Sequence, residues 1–311
     1  MCCDWPADTS VRATFFNSRY TRDYLRNRLV SSLITLALVV LAGGFFAAAL
    51  VRYSPGFDSI PEDLDPGISA ATLRTLHEQH SRENSLPVFY GRYVARAVRG
   101  DLGVSQNLKL PVTELLRERV PVTARLVLLG TAGGWLLGGL LAWMAVWTRR
   151  PALEATAFSI SGLLLAVPPA VLALAFFFYQ APLAFALSLA LLPRVFGTMR
   201  ALLDDCYSSP ALLAARSRGV GPMAIAARYV LRAAAPQLIA LFGVALVLAF
   251  GSAIPIEALC DVPGLGALAL QAATSRDMPL LCGMSLLITF FVTLVHAAGD
   301  IASGFSTGER A

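Results

Sequence analysis

Few residues in this chain have the types and spacing that catalysis or metal binding requires. The only lysine, Lys109, follows Asn107 and Leu108 rather than the glycines of a phosphate-binding loop, so we expect no ATP hydrolysis by this chain. His77 and His80 lack the one-turn spacing of the H-E-x-x-H zinc motif. The five cysteines are odd in number and scattered, without disulfide or zinc spacing. We therefore expect no catalytic, metal or cofactor site on this chain.

The distribution of the arginines argues against a nucleic-acid surface. The formal net charge is +5, yet the basic residues are dispersed between apolar stretches rather than gathered on one soluble face. In membrane proteins, loops rich in basic residues stay on the cytoplasmic side. Arginines cluster before the first apolar stretch and in two later loops, which predicts that both termini lie inside the cell.

Composition indicates a protein that spans a membrane. Hydrophobic residues make up 56% of the chain, charged residues make up 14%, and the mean hydropathy is +0.64. A helical crossing of a bilayer needs about 20 apolar residues. Uncharged stretches at 29–51, 126–148, 233–256 and 278–299 reach that length, and the stretch 155–193 is long enough for two crossings. The sequence therefore predicts an all-α integral membrane protein with six transmembrane helices.

The apolar and charged stretches also predict the order of the segments. A turn near Gln180 and Pro182 divides the longest uncharged stretch in two. The expected order is a cytoplasmic segment 1–28, a span 29–51, an external segment 52–124, a span 125–148, spans 155–179 and 182–203, a cytoplasmic loop 204–235, a span 236–256, an external loop 257–277, a span 278–299 and a cytoplasmic tail 300–311.

The cytoplasmic loop 204–235 carries the signals of a short helix. Ser208 and Ser209 can cap its start, and Pro210 suits a first helical turn because its missing N–H would be unpaired there. Gly219 supplies the left-handed residue that ends many helices. Residues 211–218, between these signals, are mostly strong helix formers.

This predicted helix of about two turns is too short to be stable alone. Leu212 and Leu213 are expected to be exposed on it, and we expect the helix to dock onto another protein. The alternative is a surface helix that lies among lipid headgroups, with its arginines on lipid phosphate.

The same loop resembles the conserved cytoplasmic loop of ABC importer permeases, whose short coupling helix inserts into a groove of the ATPase subunit. The five residues from Ala215 to Gly219 are similar to the A-R-A-[KR]-G core of that family. At a similar spacing the resemblance continues with Arg228, Leu231, Arg232 and Pro236. Three further segments resemble the peptide and nickel branch of the family, namely 24–29 with 54–56, 93 with 100–123, and 257–279.

The resemblance implies the architecture of a type I ABC importer permease with a coupling helix. It implies a non-catalytic subunit that forms half of a translocation pathway for a small solute, a peptide or nickel. The implied partners are a second related permease, two ATPase subunits that bind ATP and Mg²⁺, and an external or periplasmic solute-binding protein. The implied location is the bilayer of a bacterial or archaeal cell membrane, and no cofactor is implied on this chain.

The resemblance also implies two groups of site residues. ATPase coupling is implied for Pro210, Leu212, Leu213, Ala215, Arg216, Arg218 and Gly219. In this group the leucines are expected to fill the ATPase groove, the arginines to fold or dock the loop, and the glycine to supply backbone geometry. External gate or loop motifs are implied at Gly100, Asp101, Gly103, Glu257, Pro263, Gly264, Gly266 and Asp277. The four external glycines are also expected to permit tight turns and Pro263 to fix φ, and this structural role is expected to hold together with the role at the gate.

Departures from the family leave the solute open. Almost no external loop separates the third and fourth predicted spans, and Tyr229 and Cys260 differ from the residues common in the family. Small polar residues inside the spans either line a pathway or serve as helix contacts, and they are Thr131, Ser159, Ser161, Ser252 and Thr289. Residues 72–99 are expected to form one or two amphipathic helices broken at Pro87, either as an external lid or binding-protein contact or on the membrane surface.

Two functions of other classes stay open at this point. An ion-coupled carrier or channel would transport without ATPase partners, although no carboxylate lies near the centre of a predicted span. A membrane scaffold would only bind a partner through the external segment, and it would tolerate a bulky residue at position 219. An importer with the same substitution is expected to lose coupling.

Overall fold

The computed structural model describes residues 86–148 and 150–308, together with residues 31, 34, 35, 37–46 and 49 of the first predicted span. The described residues are helical apart from short connections and one isolated bridge between Val104 and Pro111. The helices are α1 (Ala37–Phe46), α2 (Leu86–Ala97), α3 (Val112–Thr148), α4 (Pro151–Ala166), α5 (Pro169–Phe178), α6 (Leu183–Ser208), α7 (Pro210–Ser217), α8 (Pro222–Ile225), α9 (Leu231–Leu259), α10 (Leu265–Thr274) and α11 (Met278–Gly308). A π-helical turn, Ala226–Val230, joins α8 to α9.

The predicted all-helical membrane class is confirmed, and the number of spans is confirmed in part. Within the described residues, α3, α6, the continuous run from α8 through α9, and α11 are long and apolar enough to cross a membrane, and the bent pair α4 and α5 adds a fifth candidate. α1 belongs to the first predicted span, whose other residues lie largely outside the described part. The sixth span and the inside location of both termini stay predictions. Segments 1–28 and 52–85 also lie outside the described residues.

Several helices extend past the predicted ends of the spans. α3 begins at Val112 rather than near 125, because charged residues such as Glu114 and Arg117 form helix readily although they interrupt the apolar run. α6 continues to Ser208, inside the loop predicted from 204, and α11 continues to Gly308. The loop 257–277, predicted to be external, contains α10, which was not predicted.

The third predicted span is not a single helix. Pro168 and Pro169 have no backbone N–H, and Val167 adopts extended dihedral angles of φ −89° and ψ 122°. α4 therefore ends at Ala166, and α5 is bent by 91° from it. The expectation of one helix over 155–179 is wrong for this reason. The predicted turn after it is confirmed, with Gln180 at φ 53°.

Glycines on α3 allow it to pack closely on α6. Gly130, Gly134 and Gly138 are four residues apart and therefore share one face of the helix. A Cβ at Gly134 would lie 2.8 Å from the Cβ of Leu191, and a Cβ at Gly138 would lie 3.0 Å from the Cβ of Val195. Any larger residue at these positions would push the two helices apart.

Buried apolar side chains form two large clusters at opposite ends of the bundle. At the predicted external end, a cluster that includes Val112 and Leu280 joins α3, α9, α10 and the start of α11. At the predicted cytoplasmic end, a cluster that includes Leu203 and Leu212 joins α3 and α6 to the segment from α7 onwards. Large apolar side chains on the outer surface, such as Leu163 at 70% exposure, are expected of helices that face lipid.

Candidate functional site

α7 begins at the predicted residue, although its capping differs from the prediction. Ser209 occupies the N-cap position and Pro210 the first helical position, but no side chain bonds the first N–H groups of α7. The Ser209 hydroxyl donates to the Cys206 carbonyl at 2.8 Å, and the Ser208 hydroxyl donates to the Asp205 carbonyl at 3.0 Å. Both serines therefore complete the end of α6, and the prediction of a side-chain cap is wrong.

Gly219 ends α7 in a Schellman motif. Its φ is +77°, which confirms the left-handed conformation predicted for this position. The Gly219 N–H donates to the Arg216 carbonyl at 2.9 Å, and the Val220 N–H donates to the Ala215 carbonyl at 3.3 Å. These two bonds satisfy carbonyls that the end of a helix leaves unpaired. The turn directs the chain back towards α8.

The inward face of α7 packs against this chain itself. Leu212 is 2% exposed and Ala215 is fully buried. Leu212 shares a cluster with Leu203, Ile225 and Val230, so it joins α7 to α6 and to the segment before α9. The expectation that Leu212 is exposed and fills a groove of another protein is therefore wrong. Residues three apart share one helix face, and this loop needs that face for its own core. The side chain of Leu213 lies outside the described part of the structure.

The outward face of α7 is mainly polar and basic. Among the residues here whose side chains the structure describes, the exposed ones are Pro210, Ala214, Arg216, Ser217 and Arg218. The Arg218 Nε donates to the Ala214 carbonyl at 3.0 Å, which holds this side chain along the end of the helix. The Arg216 guanidinium carbon lies 6.0 Å from the centroid of the Tyr207 ring. A protein that docks on α7 would meet this face.

A cavity of about 190 Å³ lies between α7 and the end of α3. Its lining residues are Val146, Trp147, Tyr207, Arg216, Pro222 and Ile225. Trp147 stacks on Trp143 with ring centroids 6.0 Å apart and ring planes at 17°. Aromatic side chains at the end of a span are typical of the boundary between lipid and water.

An ion pair joins α4 to α6 on the same side of the bundle. The Arg200 Nη2 donates to the Glu154 Oε1, and the Arg200 guanidinium carbon lies 5.2 Å from the centroid of the Phe158 ring. The two charged side chains are only 26% and 33% exposed. The pairing of Arg200 with Glu154 was not predicted from the sequence. The available signal was Glu154, a single acid at the start of an uncharged stretch.

On the predicted external side, Asp277 joins the segment before α3 to the start of α11. The residue is 1% exposed, and its Oδ2 accepts from the Ser105 hydroxyl and from the Asn107 N–H, the latter at 3.1 Å. Its Oδ1 accepts from the Leu280 N–H at 3.2 Å, which caps α11. Ser105 was not among the predicted site residues, because a lone serine gives no sequence signal of a distant partner.

Tight turns and a buried tyrosine also occur in the segment before α3, on the predicted external side. Gly100 and Gly103 have φ values of +82° and +79°, which confirms the tight turns predicted at these two glycines. The Asp101 Oδ1 accepts from the Gly103 N–H at 2.9 Å. The Tyr93 hydroxyl donates to the Pro279 carbonyl at 3.2 Å, and burial raises its pKa.

A second buried carboxylate holds the start of α10. Glu257, near the end of α9, is fully buried, and its Oε2 accepts from the Gly266 N–H at 2.7 Å. The Leu265 N–H donates to the Thr123 Oγ1 at 2.8 Å, which ties α10 to α3. Thr123, like Ser105, was matched by the resemblance but not assigned to the site.

Gly264 and Gly266 both allow a close approach of neighbouring atoms. A Cβ at Gly264 would overlap the carboxylate of Glu257, and a Cβ at Gly266 would overlap the backbone of Ile254. Gly264 has φ −108°, and Gly266 lies inside α10, so neither requires a left-handed conformation. The turn predicted at Gly264 is confirmed, because this residue lies in the turn before α10, and the turn predicted at Gly266 is wrong, because this residue is helical. Pro263, which precedes them, is exposed.

The hydroxyl groups considered as pathway residues differ in their bonding. The Ser159 hydroxyl donates to the Ala155 carbonyl at 2.9 Å, and the Thr289 hydroxyl donates to the Ser285 carbonyl at 2.6 Å, each within its own helix. Thr131 is buried, and its hydroxyl has no hydrogen-bond partner among the described residues. An apolar cavity of about 210 Å³ lies among α3, α9 and α11.

A protein family and several individual relatives match this chain, and the matches to the relatives cover most of its length. Residues 134–306 match the family described as "Binding-protein-dependent transport system inner membrane component". A putative peptide permease protein of Brucella ovis is 27% identical over 312 residues, which cover 90% of this chain and 96% of that protein. The nickel import system permease protein of Staphylococcus aureus is 23% identical over 294 residues, which cover 89% of this chain and 90% of that protein.

A solved structure shares the fold. The MetNI methionine ABC transporter, in an inward-facing conformation, aligns with a TM-score of 0.55 at 19% identity. The alignment covers 62% of this chain and 96% of the MetNI chain. The aligned part of this chain therefore has a helical arrangement already known among solved structures.

Proposed function

This chain belongs to the permease family of binding-protein-dependent ABC importers, in the peptide and nickel branch, and we propose that it forms half of the translocation pathway of an ATP-driven peptide importer. It is a non-catalytic, multi-pass inner-membrane subunit of a system with ATPase and solute-binding partners. Peptides are the first candidate because the Brucella relative, which has the higher identity, carries that name. Nickel is the second candidate. Membership of this family argues against the carrier and scaffold alternatives.

The observation that carries the proposal is the two-faced helix α7. Its outward face is exposed and basic, and its inward face is buried in the membrane-spanning bundle. A helix of 8 residues has little stability of its own, so this packing holds it. We propose that the outward face docks onto an ATPase subunit, with Arg218 as the docking charge.

The packing of the inward face of α7 suggests how a movement of α7 would reach the spans. Leu212 contacts the cluster that contains Leu203 of α6 and Val230 before α9. In the proposed cycle, ATP and Mg²⁺ bind to two separate ATPase subunits, whose closure moves α7 in this chain and its counterpart in a second, related permease. Because packed interfaces switch between discrete arrangements, α6 and α9 would follow α7 and give alternating access.

The hydrogen bonds of two buried carboxylates at the predicted external end of the bundle support a rigid rim there. Asp277 joins the segment before α3 to α11, and Glu257 joins α9 to α10. Both carboxylates are buried, so their hydrogen bonds are shielded from water. We propose that this rim borders the external gate and meets the solute-binding protein.

The proposal is tested by co-purification from the native membrane in mild detergent, followed by mass spectrometry. Ala214 is exposed in the middle of α7, so Ala214→Glu changes the docking face without opening the core. We expect an ATPase subunit and a second permease to accompany the natural chain, and the ATPase to be lost from Ala214→Glu. The control Ala214→Ser should retain both partners. A chain that purifies alone, under conditions that preserve other membrane complexes, would overturn the proposal.

The solute is tested by uptake in cells that lack the natural gene. Complementation with this system should restore accumulation of a labelled oligopeptide. Restored uptake of radioactive Ni²⁺ without peptide uptake would instead support the second candidate.

A further inference from the structure

The cavity between α7 and the end of α3 has the chemistry of an anion site at a membrane surface. Arg216 supplies a guanidinium group, Tyr207 an aromatic ring, and Val146 and Ile225 an apolar wall. Trp147, which is 47% exposed, forms the edge of the cavity, so the cavity is open at the surface. Positive charge beside apolar and aromatic groups suits a ligand with an anionic head and an apolar body.

Arg216 is available to such a ligand. Within the described part of the chain it forms no ion pair with a carboxylate, and its guanidinium lies over the Tyr207 ring at the cavity. By contrast, Arg218 donates to the backbone of its own helix and does not line the cavity. Two arginines on one short helix therefore have different surroundings.

The position of the cavity favours a lipid over a soluble anion. α3 ends at Thr148, and the stacked rings of Trp143 and Trp147 lie in its last two turns, as is typical of the lipid–water boundary. Basic pockets beside transmembrane helices on the cytoplasmic side bind anionic head groups. A volume of about 190 Å³ equals that of roughly six waters in the liquid, enough for a phosphate and its nearest carbons.

We propose that this cavity binds the phosphate head group of an anionic phospholipid, with Arg216 as the phosphate ligand and Trp147 against the glycerol and upper acyl carbons. A bound head group would bridge the end of α3 to α7. The consequence for transport rests on the proposed function: an occupied cavity would brace α7 against α3, so anionic lipid would strengthen coupling between ATP hydrolysis and uptake.

The test measures lipid binding directly and does not require transport. The full-length protein, with whatever partners co-purify, is delipidated and titrated with phosphatidylglycerol or with phosphatidylcholine of the same acyl chains, and bound lipid is counted by native mass spectrometry. We expect phosphatidylglycerol to bind about tenfold more tightly than phosphatidylcholine, because both lipids carry the phosphate but the choline cation of phosphatidylcholine offsets its charge and is repelled by the guanidinium. Arg216→Gln should abolish the difference. Arg218→Gln, on the same helix, should preserve it.

Two further variants and one competitor make the result decisive. Arg216→Lys keeps the charge and should retain most of the preference, which separates loss of the site from misfolding. Glycerol 3-phosphate should compete poorly, and equal competition would overturn the lipid assignment in favour of a soluble anion. Equal loss in Arg216→Gln and Arg218→Gln, or no loss in either, would also overturn it. So would release of an ATPase by Arg216→Gln with phosphatidylglycerol binding unchanged, because a partner protein would then occupy the cavity.

Failure of this inference and failure of the proposed function are distinguishable. An ATPase that co-purifies with a chain lacking the lipid preference leaves the importer intact and removes only the lipid site. A lipid preference that depends on Arg216, in a chain that binds no ATPase, supports the lipid site and removes the importer proposal.

Discussion

The hydroxyl of Ser105 donates a hydrogen bond to the carboxylate of Asp277, a residue 172 positions later in the chain. The bond is buried and joins the segment before α3 to the residue that caps α11. Two spans that are far apart in sequence are therefore held together at the predicted external end. This arrangement makes Asp277 a point where a single change should loosen the bundle.

Asp277→Ala should lower the free energy of unfolding by about 3 kcal/mol. The change leaves Ser105 and the Asn107 N–H without their buried acceptor and removes the cap of α11. Thermal unfolding in detergent measures the effect. Glu118→Ala, at an exposed acid on α3, is the control and should shift the melting temperature little. Equal melting temperatures for the two variants would contradict the structural role of Asp277.

Gly266→Ala should destabilise the protein by about 1–3 kcal/mol, because the new Cβ would overlap the Ile254 backbone. Gly162→Ala is the matched control, since Gly162 also lies inside a helix but has open space around it. That change should stabilise by up to about 1 kcal/mol through helix propensity. Thermal unfolding distinguishes the two directions, and a stable Gly266→Ala would show that α10 can move away from α9.

Leu212→Ala should cost about 2–5 kcal/mol in local stability, because the side chain is 2% exposed inside its cluster. Hydrogen exchange of the backbone from 210 to 230 measures the change. Met223→Ala, at a side chain that is 76% exposed, should leave exchange unaltered. Two results together would refute the packing of Leu212 within this chain. The natural protein would show slowed backbone exchange here only with a bound ATPase, and Leu212→Ala would leave exchange unchanged when no ATPase is bound.

Gly219→Ala should impair coupling because an alanine at φ +77° costs about 1–2 kcal/mol. The strain would be relieved by unwinding the Schellman motif, which displaces α7. Gly221→Ala is the control: Gly221 has φ −65°, and a Cβ there would contact nothing. In proteoliposomes that contain the complete transporter, we expect lower solute uptake per ATP hydrolysed for Gly219→Ala alone. Equal ratios of solute uptake to ATP hydrolysis for the two variants would show that coupling does not require glycine at position 219.

The Arg200 and Glu154 pair should show measurable coupling between α4 and α6. Glu154→Gln and Arg200→Gln should each destabilise the protein, and the double variant should destabilise it by less than their sum. The expected interaction free energy is about 1 kcal/mol for a partly exposed pair. A thermal double-mutant cycle provides the value. Strict additivity would show that the pair contributes nothing.

Much of the helical order follows from the sequence because its causes are local. Uncharged stretches long enough to cross a bilayer predicted α3, α6, α9 and α11, and the helix that starts at Pro210 and ends before Gly219 was also predicted. These signals lie within a few residues of the structure that they determine. Span ends were less well predicted, because charged residues of high helix propensity continue a helix beyond its apolar part.

What the tertiary structure alone decided depends on residues that are distant in the chain. The sequence placed Leu212 on a short helix, but only the packing of α6 and the segment before α9 determined that it faces inward. The same holds for Asp277 with Ser105 and for Arg200 with Glu154. A side chain's partner is set by how whole helices pack, and the close packing that selects those contacts is not encoded in any one stretch of sequence.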